Sequence, residues 1–350
     1  MDKPFGVAII GGSGYGAGEI MRLLVTHPAI EVAEVISRSH AGKPVHTVHT
    51  HLQSTTSLTF SPSLTVNWCS RYRKVAFILA MPSGLAPDTI KDIIDKGLPA
   101  NAVIIDLSGD LRLRDETAHK AFYPEVPYAE EIRAECIYGL TELSRSEVPA
   151  ARFISNPGCL ATAAIVALAP LSSQVFEGAV VIDAKTGTSG AGREPQASMH
   201  HPSRTADCAA YKVLQHRHEP EILQALGPAF SSANTMMFIP HLLPVSRGIL
   251  VSAYGTLRAP IEPRIMREMY ERFYAGAPFI RFRESSPRLV DVVGTNFCDL
   301  HVTTRGKQVA ILATIDNLGK GMAGQCIQNL NLVFGLSEDR GLLTPALGPV

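Results

Sequence analysis

The chain has no excess of charge of either sign: 32 Lys and Arg residues balance 32 Asp and Glu across 350 residues, and no block of like charge breaks the balance. Such a surface gives no hold on nucleic acid or an anionic membrane, which leaves small molecules as the expected partners. No apolar run approaches the ~20 residues that a membrane span needs. The first ten residues run straight into a strand pattern without a basic-then-apolar leader, so a cytoplasmic protein is expected. Cysteine is sparse and scattered, six residues without a C-x-x-C, which excludes a disulfide framework and suits a reducing compartment. Sustained heptads and internal repeats are also missing, which excludes a coiled coil and a repeat array.

What is present is a chain with 46% hydrophobic residues, long enough for two packed domains. The stretch from Gly6 opens with a buried strand, turns through Gly11-Gly-Ser-Gly-Tyr-Gly-Ala-Gly18 and continues as an amphipathic helix to about His27. That context suits a dinucleotide, because a glycine turn lets the backbone approach a pyrophosphate at a helix N-terminus. A second strand, Glu31 to Ile36, ends at Ser37-Arg38-Ser39. An arginine between two hydroxyls at that place suits a ribose 2′-phosphate, so NADP is the expected cofactor.

His46, His49 and His51 have no Cys or carboxylate beside them and read as loop histidines, with no metal site expected. Strands follow at Val75 to Ala80 and Ala102 to Ser108, with a helix from about Pro87 to Lys96. The alternation specifies an α/β fold with a Rossmann-type, doubly wound parallel sheet. Its ligand end should gather Pro82-Ser83-Gly84 and Ser108 to Arg112, with Arg112 a candidate anion clamp.

The richest stretch is Phe153-Ile-Ser-Asn-Pro-Gly-Cys159, followed by small helix formers. It reads as strand, tight turn and helix, with Cys159 at the helix start, where a thiol ionises more easily and becomes a strong nucleophile. The other five cysteines, Cys69, Cys136, Cys208, Cys298 and Cys326, read as small buried hydrophobes. A strand from Ala179 then runs into Lys185-Thr-Gly-Thr-Ser-Gly-Ala-Gly-Arg193, whose N–H groups and two cations suit a phosphate or carboxylate.

His216 and His218 flank Arg217 just before a helix at Pro220, and either suits proton transfer beside a thiol. Glu221, three residues after His218, favours that one by fixing its tautomer, while His216 stays open. Further strands are expected at Asn234 to Pro240, Gly248 to Leu257 and Gln308 to Asp316, with helices at Glu262 to Tyr274 and Ala323 to Phe334. The last helix returns to the first domain in this reading. The domains are thus residues 1–155 with about 320–350, and residues 156–319.

Five segments in order, Gly11 to Glu19, Asn156 to Thr162, Gly187 to Gly192, His216 to His218 and Asp316 to Gly321, resemble the N-acetyl-γ-glutamyl-phosphate reductases. Close relatives of that family act on N-acyl-aminoadipyl phosphate in lysine synthesis. The resemblance runs from about residue 5 to residue 335. It implies an NADP-dependent reductase in arginine or lysine biosynthesis, working through a Cys thioester. It also implies a Rossmann-type domain and an α+β catalytic domain that builds a homo-oligomer of two or four copies.

On the matching positions the resemblance implies that Cys159 is the nucleophile. Ser13, Gly14, Tyr15, Gly16, Ser37, Arg38 and Ser39 would bind the cofactor, and Asn317 would lie near it at the domain junction. Arg112 resembles a phosphate-binding arginine, and Asn156, Lys185 and Arg193 complete the substrate set. Ala17 departs from the usual glycine of the first turn. His200 to Arg204, and Pro287-Arg288 near Gly294-Thr-Asn296, look more like the lysine branch, whose substrate rides on a small acidic carrier protein. Two other classes fit the same chain: a hydrolytic aldehyde dehydrogenase and a non-catalytic NADP-binding sensor.

Overall fold

The computed structural model describes residues 4–171, 175–230 and 236–348, and the chain divides into two compact units. The first holds residues up to Pro157 together with Met322–Leu343, and the second holds Gly158–Gly321 with the residues after Leu343. Residues 320–321 and 344–348, assigned to the first domain from sequence, therefore group with the second.

In chain order the first unit runs β1 (Phe5–Ile10), α1 (Tyr15–Val25), β2 (Ile30–Ile36), β3 (Phe60–Ser61), β4 (Lys74–Leu79), α2 (Ala86–Asp95), β5 (Ala102–Asp106), α3 (Glu116–Phe122), α4 (Glu130–Ala134), β6 (Cys136–Tyr138), α5 (Thr141–Ser144) and β7 (Phe153–Ser155). Its strands form one sheet in the order β3-β2-β1-β4-β5-β7-β6, with every pairing parallel. β1 and β5 are buried along their whole length, as expected of parallel strands covered on both faces. Strand order reverses direction between β1 and β4, and ligands of such sheets bind beyond the strand ends at that switch.

The second unit runs α6 (Cys159–Leu168), β8 (Val180–Thr186), α7 (His201–Arg204), β9 (Ala209–Ala210), α8 (His218–Leu226), β10 (Met236–Leu242), β11 (Ile249–Thr256), α9 (Pro263–Phe273), β12 (Ile280–Phe282), β13 (Cys298–Arg305) and β14 (Gln308–Ile315). Its sheet is mixed, in the order β12-β13-β14-β11-β8-β10-β9, with β8–β10 and β12–β13 parallel and the other pairings antiparallel. Asn234 and Thr235, where a strand was expected to begin, lie outside the described residues.

α6 is a core helix: every residue from Leu160 to Leu168 is buried, and four of them are alanines that let neighbours approach closely. The hydroxyls of Tyr270 on α9 and nearby Tyr274 donate to Ala167 O and Val166 O at 2.6 and 2.7 Å, closing the C-terminal end of α6. Among the residues of α6, only Cys159 at its start is not buried.

After β14 a π-helical turn, Gly319–Ala323, leads into α10 (Gly324–Val333), which belongs to the first unit. Its buried amides bond to first-unit groups, Gln325 Nε2 to Gly139 O at 3.0 Å and Asn329 Nδ2 to the same oxygen at 2.8 Å. These amides satisfy backbone groups that the loop after β6 would otherwise bury unpaired.

Candidate active site

At the ligand end of the first unit the glycine turn is tied to the neighbouring strand. The N–H groups of Gly11 and Gly12 both donate to Ile36 O, at 3.2 and 2.8 Å. Gly11 has φ +87°, and a Cβ there would meet Ala80 O at 2.5 Å, so no other residue fits. Gly14 caps α1 without a side-chain acceptor, and no acidic residue occupies the first turn. A Cβ at Gly14 would meet nothing closer than Gly11 O at 3.9 Å, so that helix start faces open space, as an incoming phosphate requires.

Ser13 and Gly16 are half-buried around it and Tyr15 is exposed. Ser37 closes β2, and Arg38 and Ser39 stand exposed in the turn that follows. Ser37 Oγ, Ser39 Oγ and His40 Nδ1 form a hydrogen-bonded cluster at 2.9–3.4 Å beside Arg38. These residues fit a dinucleotide.

His49 lies in an irregular segment, yet it is buried and its Nε2 bonds Gly12 O at 2.7 Å, bracing the turn from below. A Cβ at Gly18 would come within 2.5 Å of its ring, so that glycine makes room for the imidazole. No sequence signal separates His49 from His46 and His51.

The loops after β4 and β5 gather. Asp110 Oδ2 accepts from Gly84 N at 2.8 Å and Ala86 N at 3.1 Å, holding the start of α2. Arg112 is buried, and its guanidinium donates to Asn156 O at 2.9 Å and Leu107 O at 3.0 Å. Two of its guanidinium N–H groups thus hold backbone carbonyls. Asn156 is likewise fully buried, and its amide donates to Met322 O at 3.1 Å. Expected in the substrate set, it ties the end of β7 to the segment leading into α10.

In the second unit Cys159 opens α6 and Gly158 is its N-cap. A Cβ at Gly321 would sit 2.8 Å from the Cys159 Cβ, so the chain passes close beside the thiol only because that residue is glycine. Glu221 is fully buried on α8 and accepts from Gly158 N at 2.7 Å. Its other oxygen stands 4.0 Å from His218 Nε2.

His216 packs edge-on against His218, with ring centroids 4.6 Å apart, and its Nδ1 accepts the His218 N–H at 3.1 Å. Burial, with Arg217 and Lys212 beside it, pushes His216 down to about 4, so it is neutral and serves as a cap for α8. Tyr211 stacks edge-on against His216 at 5.5 Å, and burial followed by the charge of Cys159 raises its phenol above the usual range.

The loop between Lys185 and Arg193, expected to hold an anion, places its two cations differently. Lys185 pairs with Asp183 rather than standing open to an anion, and Arg193 is exposed beyond the turn Thr188–Ala191. Asn317 laces three loops together, accepting from Gly248 N and donating to Ser189 Oγ, both at 2.8 Å. Beside it Asp316, fully buried, receives Arg247 through Nε and Nη2 at 2.9 Å and the N–H groups of Gly294, Leu318 and Gly319. Arg247 and Asp316 were not singled out from sequence, although a lone acid ending an apolar strand is a signal for such a hub. Cys208, read as buried, is exposed, while Cys69, Cys136, Cys298 and Cys326 are buried.

Residues 6–151 match the family model described as semialdehyde dehydrogenase, NAD binding domain, and residues 159–317 the one described as semialdehyde dehydrogenase, dimerisation domain. The N-acetyl-gamma-glutamyl-phosphate reductase of Methanopyrus kandleri is 42% identical over 348 residues, covering 98% of this chain and 99% of its own. That of Brevibacillus brevis is 39% identical over 342 residues, covering 96% and 97%. Among solved structures, aspartate semialdehyde dehydrogenase II from Vibrio cholerae shares the fold at a TM-score of 0.64 and 17% identity, covering 94% of this chain and 98% of its own. Among the described residues no helix is long and apolar enough to cross a membrane.

Proposed function

Since the chain belongs to the N-acetyl-γ-glutamyl-phosphate reductase family and is an oxidoreductase, we propose that it uses NADPH to reduce N-acetyl-γ-glutamyl phosphate to the semialdehyde and phosphate, in arginine biosynthesis. The observation that carries this reading is that Glu221, buried on α8, reaches the peptide directly before Cys159 with one oxygen and faces His218 Nε2 with the other.

In this reading the Cys159 thiolate attacks the acyl carbon, the C–O bond to phosphate breaks, and a thioester forms. The N–H groups that begin α6 hold the oxyanion; Gly158 N–H is already taken by Glu221. When bound, the dinucleotide supplies the hydride. His218 gives a proton to the carbonyl oxygen and takes it back as the C–S bond breaks, so Cys159 departs as thiolate. His218 is preferred over His216 because His216 is held neutral and spends Nδ1 on the α8 backbone.

The glycine turn, Gly14 at the α1 start, and Ser37, Arg38 and Ser39 hold the cofactor, with Arg38 favouring NADP over NAD. The second unit joins copies into a homo-oligomer, as its family description suggests.

The test is oxidation of N-acetylglutamate semialdehyde with NADP as a function of inorganic phosphate. Strict dependence on phosphate is expected, and phosphate-independent acid formation would identify a hydrolytic dehydrogenase instead. Faster turnover of the one-carbon-longer, carrier-linked homologue would move the substrate to the lysine branch.

A further inference from the structure

We infer that Asp316, held by Arg247, is a positioning residue that fixes one wall of the thiol site, an inference that rests on Cys159 acting as the nucleophile. The Asp316 carboxylate is fully buried, and a charge sealed from water needs many donors. Its Oδ1 accepts the N–H groups of Leu318 and Gly319 at 2.8 and 3.1 Å. Its Oδ2 accepts the Gly294 N–H at 2.5 Å and the Arg247 guanidinium through Nε and Nη2, both at 2.9 Å.

Those bonds set the course of the chain after β14. Oδ1 draws the next peptides back onto the side chain, as Asp does in a turn. The Asp316 carbonyl then accepts the Gly321 N–H at 2.9 Å, five residues on, which opens the π-helical turn. Two glycines let that turn fit where it does. A Cβ at Gly319 would collide with Thr295 O, and one at Gly321 would lie 2.8 Å from the Cys159 Cβ and 3.3 Å from its Cα. The turn therefore fills the space between the Gly294–Asn296 segment and Cys159, and Asp316 is fastened to that segment through Gly294. Gly321 closes one side of the Cys159 Cα–Cβ bond and so limits where the sulfur can swing. A nucleophile that must meet an acyl carbon loses rate steeply on misplacement by an ångström or less.

Three of the donors on Asp316 are backbone, so Arg247, whose side chain is 24% exposed, is the member that substitution can reach. Arg247→Gln removes the charge and the paired nitrogens and leaves the N–H groups of Gly294, Leu318 and Gly319 in place. kcat should fall by roughly 10–30-fold, with KM for the acyl phosphate and for NADPH each changed by less than about threefold. Arg247→Lys, which keeps the charge, should recover part of that loss. Gly321→Ala, which sets a methyl group against Cys159, should lower kcat at least as far. In the Gly321→Ala background Arg247→Gln should cost less than about a further twofold, because both changes act on the same wall.

Near-parent kcat in Arg247→Gln would overturn the inference. So would a KM for the acyl phosphate raised about tenfold at unchanged kcat, which would make Arg247 a ligand of the substrate anion. Fully multiplicative losses in the double variant would leave Asp316 a staple without influence on the thiol. If Gly321→Ala fails to fold, the split between kcat and KM in the two Arg247 variants decides. Turnover retained in Cys159→Ser would remove the premise, whereas Cys159-dependent turnover with a silent Arg247→Gln would defeat only the role given to Asp316.

Discussion

The two units close a strand with the same device and use it differently. Asp106 ends β5 and accepts the N–H of Ser108; Asp316 follows β14 and accepts the N–H of Leu318. Asp106 is hydrogen-bonded by the Ser108 hydroxyl and backbone, and burial, reinforced by Asp110 and only partly opposed by Ser108 and Arg112, lifts it to about 6. Asp316 instead has the Arg247 guanidinium and three backbone N–H groups.

The contrast extends to each ligand end. In the first unit Arg112 and Asp110 turn onto backbone, so what it offers around the glycine turn is mainly main chain, with Arg38 at the strand end. In the second unit the candidate group is a side chain, Cys159 at the start of α6. A binding site can be made of N–H groups held by glycine, whereas covalent catalysis needs a particular nucleophile with a partner to move its protons.

The sharpest way to break that division is Cys159→Ser. It should lower phosphate-dependent turnover by at least about 1,000-fold. NADPH affinity, measured by fluorescence titration, should stay unchanged, and a comparable loss of cofactor binding would erase the distinction between the units. Next in size is Arg38→Ala, which should weaken NADPH by roughly 10–100-fold, the worth of a charge-assisted phosphate contact. NADH should be nearly unaffected and kcat at saturating cofactor preserved; equal weakening of both dinucleotides would rule out the 2′-phosphate contact.

The last comparison concerns stability rather than turnover: Asp106 in the first unit and His216 in the second should respond to pH with opposite sign. Asp106 is raised from 3.8 to about 6 on folding, so the folded state holds its proton more tightly and this group's contribution to stability falls as pH rises through that window. His216 is lowered from 6.5 to about 4, so its contribution falls as pH drops through that range. In urea unfolding at a series of pH values, Asp106→Asn should gain on the parent as pH rises from about 4 to 6. His216→Gln should gain as pH falls from about 6.5 to 4, each by up to about 3 kcal/mol. Same-sign trends would break the comparison.

Legibility followed the physics of each signal. β1, β4 and β5 could be read because parallel strands buried on both faces are continuous apolar runs. β13, Cys-Asp-Leu-His-Val-Thr-Thr-Arg, was missed because Asp299, His301, Thr303 and Arg305 make one face polar, with Asp299 buried, and leave only Cys298, Leu300 and Val302 as an apolar signal on the other. β6 was missed because three residues give no period. Cys159 was legible because Asn-Pro-Gly marks a turn before a helix of small residues. Arg112 was legible as an important arginine, but its bonds to the Asn156 and Leu107 carbonyls were not, since nothing local reveals where a guanidinium ends.

The sequence by itself determined the elements whose signal is local: the glycine turn and its strand, the turn that sets Cys159 at a helix start, and the hydroxyl-flanked Arg38. Periodicity and turn chemistry act over a few residues, so they survive without knowledge of the fold. Only the tertiary structure decided which of two histidines faces a carboxylate, that Glu221 reaches the peptide before Cys159, and that Asp316 rather than its neighbour gathers Arg247. Those pairings join residues separated by 63 and 69 positions, apart from the histidine contact, and packing alone brings such groups together.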